Sequence, residues 1–156
     1  MTLSSFSRRL LAASLLAASA SAFAAPPAKI AAIDGWTRPV AQGMTAAGYV
    51  TLVNRSPFPD RLIGASSSAA AKVSIHQSRQ VGAVMTMRAV TSLTIPGRGQ
   101  VKLAPGGFHL MLEGIRRPLR PGARIPVSLI FAGAGTVRAS LAVGAGPADM
   151  NAKMKM

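Results

Sequence analysis

Two histidines and two methionines carry the strongest chemical signal in this chain: His76, Met87, His109 and Met111. Ten residues separate His76 from Met87, twenty-one lie between Met87 and His109, and one lies between His109 and Met111. Imidazole nitrogen and thioether sulfur together suit Cu(I), a soft ion with a filled d shell, and both bind it without losing a charge. These are the only two histidines in 156 residues, and there is no cysteine. A thiolate site, an iron–sulfur cluster and a blue-copper centre all need cysteine sulfur and are excluded. Taken singly, a methionine is ordinary core filler and a surface histidine an ordinary solvated group. It is the joint spacing that points to metal. Where the four side chains converge, they make a carrier of one Cu(I) ion. Thioethers stay unprotonated and cannot pair into disulfides, which suits an oxidising compartment, with sulfoxide formation as the remaining hazard.

The rest of the composition argues against catalysis. Four carboxylates, no cysteine and two committed histidines leave no triad, no acid–base pair and no hydrolytic zinc site.

The elements that must position the four residues read as short strands. Turn-forming Gly, Pro, Asn and Asp residues separate apolar runs over residues 45–53, 60–64, 72–77, 88–95, 100–103, 108–112, 125–131 and 136–143. The last two runs, joined across residues 132–135, read as a hairpin, residues 116–122 as a connecting loop, and residues 65–72 as a single helical turn. No apolar pattern after residue 28 repeats at helical period over three turns. Strands at this spacing make an all-β antiparallel sandwich or barrel. Alternation gives the faces: His109 and Met111 project from one side of their strand, while Phe108, Leu110 and Leu112 project from the other, towards the core. His76 shares a side with Ser74 and Lys72, away from Val73 and Ile75. The ligands are thus expected on the accessible side of the sheet, where a metal can be given away. Met85 faces as Met87 does and is a spare ligand.

Residues 1–24 form a separate unit. Arg8 and Arg9 precede a short apolar stretch and an Ala22-Phe23-Ala24 cleavage site, the pattern of a secretory signal peptide cut after Ala24. The copper-binding domain is then expected over residues 25–143, followed by a flexible tail over residues 144–156 that contains Met150, Met154 and Met156. Export without cysteine means that a packed core, not disulfides, must hold the fold. The 18 Lys and Arg against 4 Asp and Glu give a net charge of +14. Nucleic acid is not the expected partner of an exported chain with one Trp, one Tyr and no compact basic motif. A solvated basic surface accounts for the charge, with peripheral contact with the anionic membrane surface as the weaker expectation.

The spacing His-x10-Met-x21-His-x-Met resembles the signature of the periplasmic copper chaperone family known as PCu(A)C. Trp36-Thr37-Arg38-Pro39, Gly48-Tyr49, Asp60-Arg61-Leu62, Val84-Met85-Thr86-Met87-Arg88 and the segment from Leu103 to Leu112 look like its landmarks, so that the resemblance covers about residues 30–143. It implies a cupredoxin-like Greek-key β-sandwich or barrel holding one Cu(I) per domain at the four positions; a monomer is expected. It also implies delivery to the copper subunit of cytochrome c oxidase, at its dinuclear copper centre, alongside a Sco-type thiol protein. A periplasmic copper scavenger or buffer is the alternative. Ser74 and Ile75 stand before His76, where an acidic residue is often found. The tail carries methionine but no histidine, which leaves no imidazole there for a second, Cu(II) site.

Overall fold

The computed structural model describes residues 29–146, and within them all regular structure is β. Ten strands follow one another: β1 (Ile30–Thr37), β2 (Ala46–Asn54), β3 (Asp60–Ser66), β4 (Ala70–Val81), β5 (Val84–Ala89), β6 (Leu93–Ile95), β7 (Gln100–Lys102), β8 (Phe108–Ile115), β9 (Arg124–Phe131) and β10 (Gly135–Val143). Seven of them close a ring in the order β4-β8-β2-β1-β10-β9-β3, and β3 returns to β4 through the pair Ala65 and Val73. The remaining three hang on that barrel: β5 beside β4, β6 beside β3, and β7 beside the far end of β2.

The antiparallel expectation holds for every pairing but one. β1 and β10 run parallel, with Trp36 beside Ala142 and Thr37 beside Val143. A ring of seven strands requires this, because with an odd number of members strand direction cannot alternate all the way round. β1 itself has no counterpart among the runs delimited by turn formers; Asp34-Gly35, a dipeptide common in turns, lies in its middle. Instead the pair makes a bulge: the register with β2 shifts between Ile33 and Trp36, and Asp34 takes a positive φ of 54°. Glycine at position 35 admits the neighbouring strand, since a Cβ there would collide with the Ser140 carbonyl oxygen of β10. Residues 65–72 form no helical turn; β3 runs on to Ser66 and β4 begins at Ala70. The run expected over 88–95 splits into the end of β5 and β6, which lie at opposite ends of the sheet order.

Period-two alternation fills the barrel. Leu110, Leu112, Ile75, Leu52, Leu129 and Leu141 are buried inside, as are Val127 and Phe131 on β9. Burying such side chains out of water supplies the main drive to fold, at about 25 cal/mol per Å2 of apolar surface.

One charged residue ties strands together away from the histidines. Asp60 opens β3, and its carboxylate accepts hydrogen bonds from the backbone N–H groups of Arg61 (2.7 Å), Gly133 (2.8 Å) and Ala134 (2.8 Å) in the β9–β10 turn. Partial burial pushes its pKa up, but the three N–H donors together with Lys29 outweigh that, and the net shift is downward. A carboxyl depressed in the folded state adds stability that is present above its unfolded pKa and lost as the pH falls through its folded value. Asp60→Asn is expected to cost about 1 kcal/mol at neutral pH, the low end for bonds to a partly hydrated charge. Urea unfolding should show that difference at neutral pH and none in acid below the carboxylate range.

Candidate metal centre

The register of three adjacent strands decides where the four predicted ligands lie. β4 and β8 pair so that His76 sits directly opposite His109, and Ser74 opposite Met111. β5 lies on the other side of β4, with Met87 opposite Ser78 and Ala89 opposite His76. Counting by twos, His76, Met87, His109 and Met111 all project from one face of the β5-β4-β8 ribbon, the face away from Leu110 and Ile75. His76 is the hub: one neighbour lies directly across, and both methionines stand at diagonal positions, where backbone separations are about 7–8 Å.

The two imidazoles are the part of the set that is brought closest together. Their ring centroids are 5.9 Å apart with planes tilted by 36°. His109 lies on the outer side of its strand yet is only 3% exposed, so the accessible position expected for it does not hold. Tyr49 flanks its ring at 6.4 Å and Trp36 packs on Tyr49 at 4.5 Å, making an aromatic row over β2 and β1. His109 Nδ1 lies 3.2 Å from the Gly107 carbonyl oxygen, which also accepts the Ser78 N–H at 3.0 Å. One turn carbonyl thereby anchors both the imidazole and the adjoining strand.

His76 is half-buried. Its Nε2 contacts the Ser74 hydroxyl at 3.1 Å, while its Nδ1 is buried and has no hydrogen-bond partner among the described residues. A buried polar atom left without a partner is uncommon, and at a cluster of soft donors it is what a metal ligand looks like before the metal arrives. Met111 is half-buried beside the pair. Met87 is the outlier, 52% exposed on a strand whose six residues are all exposed. Along β4 its partner Ser78 stands four residues from Met111's partner Ser74, about 13 Å at strand rise. Met85 shares its face and is 57% exposed, opposite Gln80. Among the described residues no three His, Cys, Asp or Glu side chains form a metal-binding group, so a hard-ligand site does not compete with this one.

Ser74 and Glu113 stand beside the candidate ligands, although the spacing of the four does not point to them. Ser74 Oγ lies 3.4 Å from Glu113 Oε1, and Lys72 Nζ lies 3.9 Å from Glu113 Oε2. The signal was present in the sequence, since Ser74 stands two residues before His76 and Glu113 two after Met111, each on the ligand face of its strand.

Comparison with known proteins gives the family and the fold. The family described as "Putative lipoprotein LpqE-like" matches residues 30–143, the whole barrel. The chain belongs to the LpqE-like family. A curated relative, "Putative lipoprotein Lxx21020" of Leifsonia xyli subsp. xyli (strain CTCB07), is 35% identical over 102 residues. That match covers 65% of this LpqE-like chain and 61% of the relative's length. Among solved structures, the copper-bound PCuAC domain from PmoF2 is 30% identical with a TM-score of 0.62, covering 75% of this chain and 93% of that domain. The apo PCuAC domain from PmoF1 is 25% identical with a TM-score of 0.63, covering 75% and 94%. The Cu(I) form of DR1885 from Deinococcus radiodurans is 31% identical with a TM-score of 0.57, covering 81% and 84%. The PCu(A)C resemblance read from the sequence is borne out, and so is the all-β barrel, here with one parallel pair. The expected signal peptide and most of the expected tail fall outside the described residues; of the tail, Gly144 donates its N–H to the Thr37 carbonyl, and a Cβ at Gly146 would touch the Trp36 ring.

Proposed function

We propose that this protein is an exported Cu(I) carrier that binds one copper ion through His76, Met87, His109 and Met111 and passes it to the dinuclear copper centre of cytochrome c oxidase. The observation that carries the reading is the β5-β4-β8 register, which puts all four soft donors on one face around a pair of imidazoles 5.9 Å apart. The orphaned Nδ1 of His76 supports it, as do the copper-bound states of the PmoF2 domain and of DR1885. A monomer of this kind needs no catalytic residue: its work is to hold a soft ion tightly enough to exclude loss and loosely enough to release it. A Sco-type thiol protein is the expected co-worker, by family resemblance. The signal-like first 24 residues and the lipoprotein names of the relatives favour a periplasmic location. No cysteine is present in these 156 residues to carry a sulfur-linked lipid.

Titration with Cu(I) against a competing chelator tests binding; no binding tighter than micromolar ends the reading. Delivery needs its own experiment. Copper should leave the loaded protein for an apo oxidase copper domain faster than it leaves for buffer alone. Release at the spontaneous rate would favour the scavenger or buffer role instead.

The unequal burial of the donors predicts unequal costs. Met87→Leu should weaken Cu(I) binding by about tenfold, the low end of what disturbing a metal site costs, because its sulfur starts on an exposed ribbon. Met85→Leu should change affinity less than about twofold, within the neutral range of surface substitutions. Chelator competition on the two variants side by side checks both numbers.

A further inference from the structure

We infer that Ser74 and Glu113 are positioning residues for His76, holding its ring with the proton on Nε2 so that Nδ1 is the donor it offers, while His109 offers Nε2. The inference deepens the copper reading and rests on it for its purpose, but the arrangement of protons stands on hydrogen bonding alone.

Glu113 lies on the outer face of β8, with Lys72 beside one oxygen and the Ser74 hydroxyl 3.4 Å from the other. The Ser74 hydroxyl donates its single hydrogen to Glu113 Oε1, which as a carboxylate oxygen accepts it. The serine oxygen, 3.1 Å from His76 Nε2, must then accept, which requires the proton of the neutral imidazole to sit on Nε2. Nδ1 is left with a bare lone pair, and it is the buried atom without a partner among the described residues. At His109 the same reasoning gives the opposite result. Its Nδ1 faces the Gly107 carbonyl oxygen, which cannot donate, so Nδ1 carries the proton and Nε2 is free to bind.

The chain carboxylate–hydroxyl–imidazole does for His76 what a directly bonded carboxylate does for many metal-bound histidines. It fixes the tautomer and the ring orientation. Here the acid is displaced by one strand, on β8 rather than on β4, and serine spans the gap. Register makes the span: Lys72 is opposite Glu113 and Ser74 opposite Met111, so lysine, serine, glutamate and both imidazoles share a face. A purely structural role would explain an ion pair between β4 and β8. It would not explain a hydroxyl shared between a carboxylate and one nitrogen of a ring whose other nitrogen is buried and unpaired.

Two measurements on the full-length apo protein and its variants test this. Long-range 15N–1H correlation spectra at neutral pH read the protonated nitrogen of each imidazole directly. The wild type should show His76 protonated at Nε2 and His109 protonated at Nδ1. Ser74→Ala should move His76 towards a mixture of tautomers, leave the His109 pattern unchanged, and weaken Cu(I) binding about tenfold in chelator competition, the scale of losing an outer-shell partner. Ser74→Thr, which keeps the hydroxyl and suits a strand, should restore both readouts. Finding His76 protonated at Nδ1 in the wild type, or no tautomer change in Ser74→Ala, would overturn the inference even with copper binding intact. The stated tautomers in a wild type that binds no copper would leave the positioning role standing and remove the carrier role, so the two failures are distinct.

Discussion

Replacing His109 with alanine is expected to weaken Cu(I) binding by more than about a hundredfold, beyond the 10–100-fold range for losing an outer-shell partner. Three features make this the most costly single loss at the site. His109 is 3% exposed, so most of its ring is already out of water before copper arrives. Its ring is held from two sides, by the Gly107 carbonyl at Nδ1 and by Tyr49 against the ring. It also stands directly opposite His76, so its removal leaves one nitrogen donor instead of two. X-ray absorption on the copper-loaded proteins should count one fewer nitrogen neighbour in the variant, with the sulfur neighbours retained. Thermal unfolding gives a second readout. Copper at a hundred times its dissociation constant stabilises a folded protein by about 2.7 kcal/mol, so the wild type should melt higher with copper than without. The variant should lose most of that rise at the same copper concentration. A variant that binds copper within threefold of wild type would remove His109 from the donor set.

How much of this was legible beforehand follows from what kind of information each feature needs. The strand faces depend on period two, which a single sequence carries. Val127, Leu129 and Phe131 stand two apart, so alternation alone puts them on one side of their strand, and all three are buried. The separation of His109 and Met111 from Leu110 and Leu112 follows in the same way. Register depends on pairing between segments more than thirty residues apart, and nothing local in Lys72-Val73-Ser74-Ile75-His76 says that His76 stands opposite His109 rather than Met111. β1 was hidden because Asp34-Gly35 is as good a turn as it is a bulge, and only the approach of β10 decides between them. The burial of His109 was also out of reach, since the outer face of a strand is open or covered according to what packs over it. The contribution of Glu113 depends on Ser74 lying between it and His76, again a matter of cross-strand register.

The same alternation predicts a variant with the opposite phenotype. Leu110 sits between His109 and Met111 in sequence but points into the barrel, where it is fully buried, beside Ile75 on β4 and Gly48 on β2. Leu110→Ala removes buried methyl and methylene groups and leaves a cavity, a change that costs about 2–5 kcal/mol depending on how far the surroundings collapse. Collapse from the β2 side is poor. Gly48 has no side chain to move in, and a Cβ there would already meet Leu141 at 2.8 Å and Leu112 at 3.0 Å. The upper part of the range is therefore expected, a large share of the roughly 5–15 kcal/mol that holds a domain folded. The melting temperature should fall by on the order of 10–15 °C for a domain of this size. The donors stand on the other face of β8, so the folded fraction should bind Cu(I) within about threefold of wild type. His109→Ala and Leu110→Ala, adjacent in sequence, should thus separate cleanly, one losing copper and keeping most of its stability, the other losing stability and keeping copper. If Leu110→Ala instead lost copper at unchanged melting temperature, the assignment of inner and outer faces on β8 would be reversed, and the candidate site with it.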